Sequence, residues 1–233
     1  MPASALYLIP TPLASESGYP FPGNTGIIPE IAVFFVENVR TARRFISQLK
    51  LGLNIDQLDF RVLDKDTLPD DLHKLTQSLP DGKAIAYLSE AGCPGVADPG
   101  ALLVRWAHEQ GVRVVPMVGP SSILLALMAS GLNGQQFTFH GYLPIDRADQ
   151  QKLLRQLEVS SRKDHSTQIF IETPFRNEKL LEQLISILSS ETRLCVAAAL
   201  QSPQEIIICR KIKHWQQVPA LPPKQPAVFL FQA

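Results

Sequence analysis

Residues 84–122, AIAYLSEAGCPGVADPGALLVRWAHEQGVRVVPMVGPSS, read as strand, loop, helix, strand, loop. Ala84–Leu88 and Val112–Val115 are apolar runs of strand length, and each ends in a loop dense in Gly, Pro and small residues. Between them Pro99 to Gln110 is amphipathic, with Gly111 as its C-terminal stop. A strand returning through a helix to a second strand predicts a right-handed crossover and hence an open, mainly parallel sheet. In such sheets ligands bind at the carboxyl ends of the strands. Gly92, Gly95, Gly100 and Gly119 carry no Cβ and Pro94, Pro99, Pro116 and Pro120 fix φ, so both loops can hold unusual shapes that present amides and carbonyls. Plain connectors share this composition, but two of them in one unit favour a site.

The same alternation extends outward. Ala5–Ile9 is a short buried-type strand stopped by Pro10-Thr11-Pro12, and Ile31–Val36 is a second, with a third near Leu58–Leu63. Asn38 is placed to cap a helix carrying Ala42, Phe45, Ile46 and Leu49 on one face, and another helix is predicted from Pro69 to Leu79. Residues 14–29, ASESGYPFPGNTGIIP, hold three prolines and three glycines and read as an irregular excursion, a candidate lid.

Beyond Gly119-Pro120, Ser121 or Ser122 caps a helix closed by Gly131. Phe137–Leu143 and Gln168–Glu172 read as strands, with helices at Arg147–Leu157 and Asn177–Leu188. Leu194–Leu200, Glu205–Arg210 and Ala227–Phe231 are closely spaced β-rich runs, which predicts antiparallel pairing. The expected fold class is therefore α/β in two domains. An N-terminal open parallel α/β domain spans 1–117, and a C-terminal α+β domain with a mixed sheet spans 118–233.

Composition bounds the function. Lys plus Arg and Asp plus Glu number 22 each, so the net charge is zero, and this gives no support for binding nucleic acid mainly through phosphates. Cys93, Cys195 and Cys209 are odd in number and show no C-x-x-C spacing, which points to a reducing compartment and a cytoplasmic location. The start of the chain lacks a basic n-region and is broken early by proline, so no signal peptide is expected. The longest clean apolar run, Ile123 to Ala129, is too short to span a bilayer.

Several chemistries lack their motifs. There is no G-x-G-x-x-G, no P-loop and no G-x-S-x-G elbow, and His73, His108, His140, His165 and His214 are scattered without metal-ligand spacing. No metal is expected. Cys93 reads as packing in preference to a nucleophile, and Asp98, just before Pro99, as a helix cap that can also touch a ligand. Arg40, Arg43 and Arg44, with Lys50 nearby, read as a solvated helix face, with a phosphate contact as the alternative.

Five segments occur together in order: LYLIPTPL at 6–13, EAGCPGVADPG at 90–100, VVPMVGPSSILLALMASGL at 114–132, FTFHGYLP at 137–144 and IFIETPFR at 169–176. By these the chain resembles the tetrapyrrole methylase superfamily, and within it the branch of small-subunit ribosomal RNA methyltransferases I, which methylate a ribose 2′-hydroxyl of a 16S rRNA cytidine. The resemblance implies a homodimer that binds S-adenosyl-L-methionine in a cleft between its two domains, with the small ribosomal subunit or its rRNA as partner. Carried over by position, the donor loop is Ser89, Glu90, Ala91, Gly92, Cys93, Pro94, Val96 and Asp98, with Pro10, Ser121 and Ser122 beside it. The second domain contributes Tyr142, Leu143, Thr173, Ala199, Leu200, Pro226, Ala227 and Val228. Glu37, Asn38, Arg40, Arg43 and Arg44 fall on the acceptor side.

Two segments depart from the branch. Its Pro-x-Gly-Asn turn after the first strand is replaced here by ASESGYPFPGNTG, and its Glu-Asp-Thr-Arg segment by Glu37, Asn38, Val39 and Arg40. Methyl transfer from a sulfonium demands chiefly positioning, which agrees with the missing triad and metal motifs. Where the acceptor is a hydroxyl a nearby base helps, and Glu37, Glu90 and His140 are the candidates. A tetrapyrrole or other small-molecule acceptor, and a non-catalytic donor-binding protein, are the alternative readings.

Overall fold

The computed structural model describes residues 4–14, 24–215 and 220–233. Its contacts divide into two units, one ending at Ser121 and the other running from Ser122 to Ala233 and taking in Ala14 as well; the sequence reading sets its boundary at 117/118. Most of the candidate lid, residues 15–23, lies outside the described residues.

The first unit is built from β1 (Ala5–Ile9), β2 (Ile31–Val36), β3 (Asp59–Val62), β4 (Ala84–Leu88) and β5 (Arg113–Pro116). All pairings are parallel and the order is β3-β2-β4-β1-β5. A parallel sheet covered on both faces needs strands apolar on both sides, and these qualify. Leu6, Val33, Phe35, Ile85 and Tyr87 join one core with Leu72 of α2 (Pro69–Gln77) and Leu103 and Ala107 of α3 (Gly100–Glu109). Ile9, Phe34, Val36, Ala86 and Leu88 join another with Ala42, Phe45 and Ile46 of α1 (Val39–Gln48). The topology matters more for function than the cores do. Because β4 lies between β2 and β1, the loop leaving β4 emerges in the middle of the sheet edge, flanked by the loops leaving its neighbours.

The second unit carries α4 (Ser122–Ser130), β6 (Phe137–Tyr142), α5 (Arg147–Asp164), β7 (Thr167–Glu172), α6 (Asn177–Ile187), β8 (Arg193–Ala198), β9 (Ile206–Lys211) and β10 (Ala227–Gln232). Its sheet order is β6-β7-β10-β8-β9, with β6 and β7 parallel and the other pairs antiparallel. The α/β class with a mixed second sheet is thus as the sequence predicts. Leu194, Val196 and Ala198 alternate onto the face covered by α5 and α6, where Phe170, Phe229 and Phe231 pack ring to ring. The helix α4 packs against β8, β9 and β10. The helix α5 outruns its predicted end at Leu157 and closes at His165 in the left-handed conformation, because Leu154, Leu157 and Ser161 continue its buried stripe.

Candidate functional site

In the first unit the loops after β1, β4 and β5 are knitted together. Thr11 and Gly92 exchange backbone hydrogen bonds of 3.1 and 3.0 Å, a two-residue bridge between loops distant in sequence. The Thr11 hydroxyl donates to the Ser89 carbonyl at 3.0 Å, and the Ser89 hydroxyl to the Gly92 carbonyl at 2.6 Å. Gly92 takes φ +80°, and a Cβ built on it would meet Leu13 at 3.1 Å and the Pro120 carbonyl at 3.2 Å. The Cys93 thiol donates to the Pro120 carbonyl at 3.2 Å. Burial pushes that thiol up, with a smaller contribution from Asp98, so Cys93 is a packed thiol.

Asp98 closes the loop on itself: one oxygen accepts from the amides of Gly95 (2.7 Å) and Gly100 (2.9 Å). The helix α3 has no side-chain cap at Pro99, so Asp98 serves from one position earlier the capping role that its sequence placement predicts. Its other oxygen, like the hydroxyl of the fully buried Tyr87, is buried without a hydrogen-bond partner among the described residues. Burial raises the Asp98 carboxyl above the usual aspartate range against the pull of its two amide donors, and burial together with Asp98 raises Tyr87 as well.

The residues that the resemblance assigns to the acceptor side gather one strand away, at the end of β2 and the start of α1. Asn38 caps α1, accepting from the Arg40 amide at 2.9 Å and the Thr41 amide at 3.4 Å. The Thr41 hydroxyl donates to the Glu90 carboxylate, and the Glu90 amide donates to Glu37 Oε1 at 3.2 Å. The end of β2 is thereby tied to the loop after β4. Burial raises the Glu37 carboxyl, reinforced by the charges of Asp98, Glu90 and Asp64. The arginines separate by role: Arg43 pairs with Asp56 at 3.3 Å and lies over the Phe60 ring, whereas Arg40 and Arg44 are exposed.

In the second unit, register brings the remaining predicted residues to one sheet edge. Tyr142 pairs with Ile171, Ala227 pairs with both Glu172 and Ala198, and the Ala199 amide donates to the Pro226 carbonyl. Tyr142, Leu143, Thr173, Ala199, Leu200 and Pro226 to Val228 are therefore neighbours by topology, though Leu143, Leu200, Ala227 and Val228 have buried side chains and leave mainly backbone to a ligand. Buried Glu172 accepts from the Thr173 amide and from two nitrogens of Arg176, fixing the turn that holds Thr173. His140 is in this unit too, its ring bonded to Gln168 at 2.7 Å.

Sequence reasoning missed Thr11, Asn24, Thr41 and Tyr87. Asn24, almost fully buried, donates to the Val118 carbonyl at 2.6 Å and so supports the loop after β5. Thr11 alone had a local signal, a hydroxyl held between two prolines; the others depend on partners far along the chain. No cluster of metal-ligating side chains occurs among the described residues, and no helix there is long and apolar enough to cross a membrane.

No family model matches the chain. It is 33% identical over 210 residues to the ribosomal RNA small subunit methyltransferase I of Vibrio cholerae, covering 88% of this chain and 68% of that protein. The Xylella fastidiosa protein of the same name is 31% identical over 203 residues, covering 87% and 71%. Among solved structures, the methyltransferase CobJ has a TM-score of 0.64 at 15% identity, covering 99% of this chain and 95% of that one. The uroporphyrin-III-C-methyltransferase from Thermus thermophilus follows with 0.54 at 18%, covering 98% and 92%. At such identities these two likenesses establish the fold.

Proposed function

Since the chain belongs to the ribosomal RNA small subunit methyltransferase I family, we propose that it transfers a methyl group from S-adenosylmethionine to a ribose 2′-hydroxyl of small-subunit rRNA. The observation that supports the donor assignment is the braced loop after β4, held from both sides by Thr11 and Glu37, with one Asp98 carboxylate oxygen left without a hydrogen-bond partner among the described residues. The donor set fits. A sulfonium with an ammonium group calls for acceptors, and the carboxylate oxygen of Asp98 left without a hydrogen-bond partner is one, where a phosphate would need donors. When bound, S-adenosylmethionine supplies an electrophilic methyl group on a positively charged sulfur.

Residues 89–98 with Pro10 and Ser121 hold the donor in this reading, and Ser122, Tyr142, Leu143, Thr173, Ala199, Leu200 and Pro226 to Val228 contribute from the second unit. Glu37 takes the proton of the acceptor hydroxyl. Its Oε1 is held by the Glu90 amide and leaves Oε2 for that proton, and burial raises its proton affinity above that of an ordinary glutamate, the direction that suits a general base. Glu90 positions α1 through Thr41. Arg40 and Arg44 supply exposed cations for the RNA backbone. The reaction takes place where ribosomal subunits are made, in the cytoplasm, and the enzyme acts as a homodimer.

The deciding experiment incubates the purified protein with methyl-labelled donor and small subunits lacking their methylations. Label is expected in a 2′-O-methylated nucleotide of the rRNA. Label absent from rRNA but entering a porphyrinoid would transfer the assignment to a small-molecule acceptor, the substrate class named for the uroporphyrin-III-C-methyltransferase of like fold.

A further inference from the structure

Cys195 and Cys209 stand directly opposite each other across β8 and β9. Facing Cα atoms of an antiparallel pair lie about 4.5–5.5 Å apart, inside the range of roughly 4.4–6.8 Å that a disulfide spans. Both are free thiols, and they are hydrogen-bonded to each other. The two differ in setting. Cys195 is fully buried on an interior strand, whereas Cys209 is partly exposed on β9, the edge strand of the sheet. Because β-strand side chains alternate, Arg193 shares a face with Cys195 and lies diagonally across from Cys209.

Their acidities follow the setting. The hydrogen bond from Cys195 and, after it, the Arg193 charge bring Cys209 down to about 7 against the opposing effect of burial. The same hydrogen bond and burial push Cys195 up. One thiol is thus prepared to attack and the other to resolve. Cys93 has no such arrangement, its thiol being raised by burial and committed to the Pro120 carbonyl.

We propose that Cys195 and Cys209 form a reversible thiol switch on the edge of the second sheet, oxidised by a hydroperoxide. Cys209 sulfur, as thiolate, attacks one peroxide oxygen. The O–O bond breaks, the sulfur loses two electrons to become a sulfenic acid, and the leaving oxygen takes up the thiol proton as alcohol or, from hydrogen peroxide, water. Cys195 sulfur then attacks Cys209 sulfur, the S–O bond breaks, and the hydroxide departs with the Cys195 proton as water. The net change is two thiols and one hydroperoxide to one disulfide, one alcohol or water, and one further water. The disulfide fastens the edge strand β9 to β8, and a dithiol reverses it.

The test treats the full chain with a slight excess of hydrogen peroxide. The intact mass should fall by about 2 Da, as expected for loss of two hydrogens on disulfide formation. Free thiols should fall from the three of the sequence to one, and peptide mapping should join the segments holding Cys195 and Cys209. Dithiothreitol should restore all three thiols, and amide exchange along β9 should slow in the oxidised form. In Cys195→Ser, Cys209 should accumulate as a dimedone-reactive sulfenic acid. A cross-link through Cys93, stable addition of oxygen without a cross-link, or three thiols surviving the peroxide would each overturn the proposal. The wild-type peptide map decides the matter even where a variant folds poorly.

Discussion

Gly119 has no room for a side chain, since a Cβ built there would lie 2.2 Å from Pro10 Cβ. Gly119→Ala should therefore force the loops after β1 and β5 apart and cost about 1–3 kcal/mol in chemical denaturation. Gly111 is the control: its φ of +67° strains an alanine but no atom lies within 4 Å, so Gly111→Ala should cost only about 1–2 kcal/mol and leave donor affinity untouched. Glu37 sets a prediction in pH. A carboxyl with a raised folded pKa stabilises the native state below the ordinary glutamate range, and that contribution is lost as pH rises through the raised value. Glu37→Gln should accordingly be more stable than wild type at neutral pH and lose this advantage in acid, as denaturation at the two pH values would reveal. Turnover of the wild type should rise with pH as Glu37 gives up its proton. In the variant kcat should fall by roughly 10²–10⁴ with S-adenosylhomocysteine affinity unchanged. Equal losses in kcat and affinity would assign Glu37 a structural role instead.

At the scale of elements, two short polar arrangements fix the loop ends. Asn38 is the cap of α1, and Asn38→Ala should cost about 0.5–2 kcal/mol, whereas Asn38→Asp keeps an oxygen acceptor and should stay close to wild type. The Thr41 to Glu90 bond hangs from that cap, so Asn38→Ala should also loosen the loop after β4. At the end of β7, Glu172 is buried while its partner Arg176 is about one-third exposed. Arg176→Met would strand a buried carboxylate and should destabilise by about 3–5 kcal/mol, measured by urea unfolding, with Glu172→Gln alone costing less. Most elements were legible in the sequence because their signals are local. Apolar runs of five or six residues marked the strands, and Leu180, Leu181 and Leu184 marked α6 as they now line its buried face. The end of α5 was missed because its last turns are held by a single buried serine and a polar surface, which carry little apolar periodicity.

For the whole molecule, neutrality of charge sets an expectation for substrate binding. With 22 charges of each sign, rRNA affinity should depend on salt with a shallow slope set by a few arginines rather than by the chain's net field. Donor binding offers a sharper test. Saturation with S-adenosylhomocysteine at 100 times its dissociation constant should stabilise the protein by about 2.7 kcal/mol. Amide exchange should then slow both in residues 89–98 and in the segments around 199–200 and 226–228; protection confined to one unit would exclude a donor site drawing on both. The sequence by itself determined the elements, the change from parallel to antiparallel pairing in the second half, the glycine and proline loops and the family, all of which rest on short-range patterns. Only the tertiary structure decided the order β3-β2-β4-β1-β5, which sets the loop after β4 between those after β1 and β2. It alone joined Thr11 to Gly92, Asn24 to Val118, Thr41 to Glu90 and Cys195 to Cys209. Such partners are chosen by strand order and register, and local propensity along the chain carries no information about either.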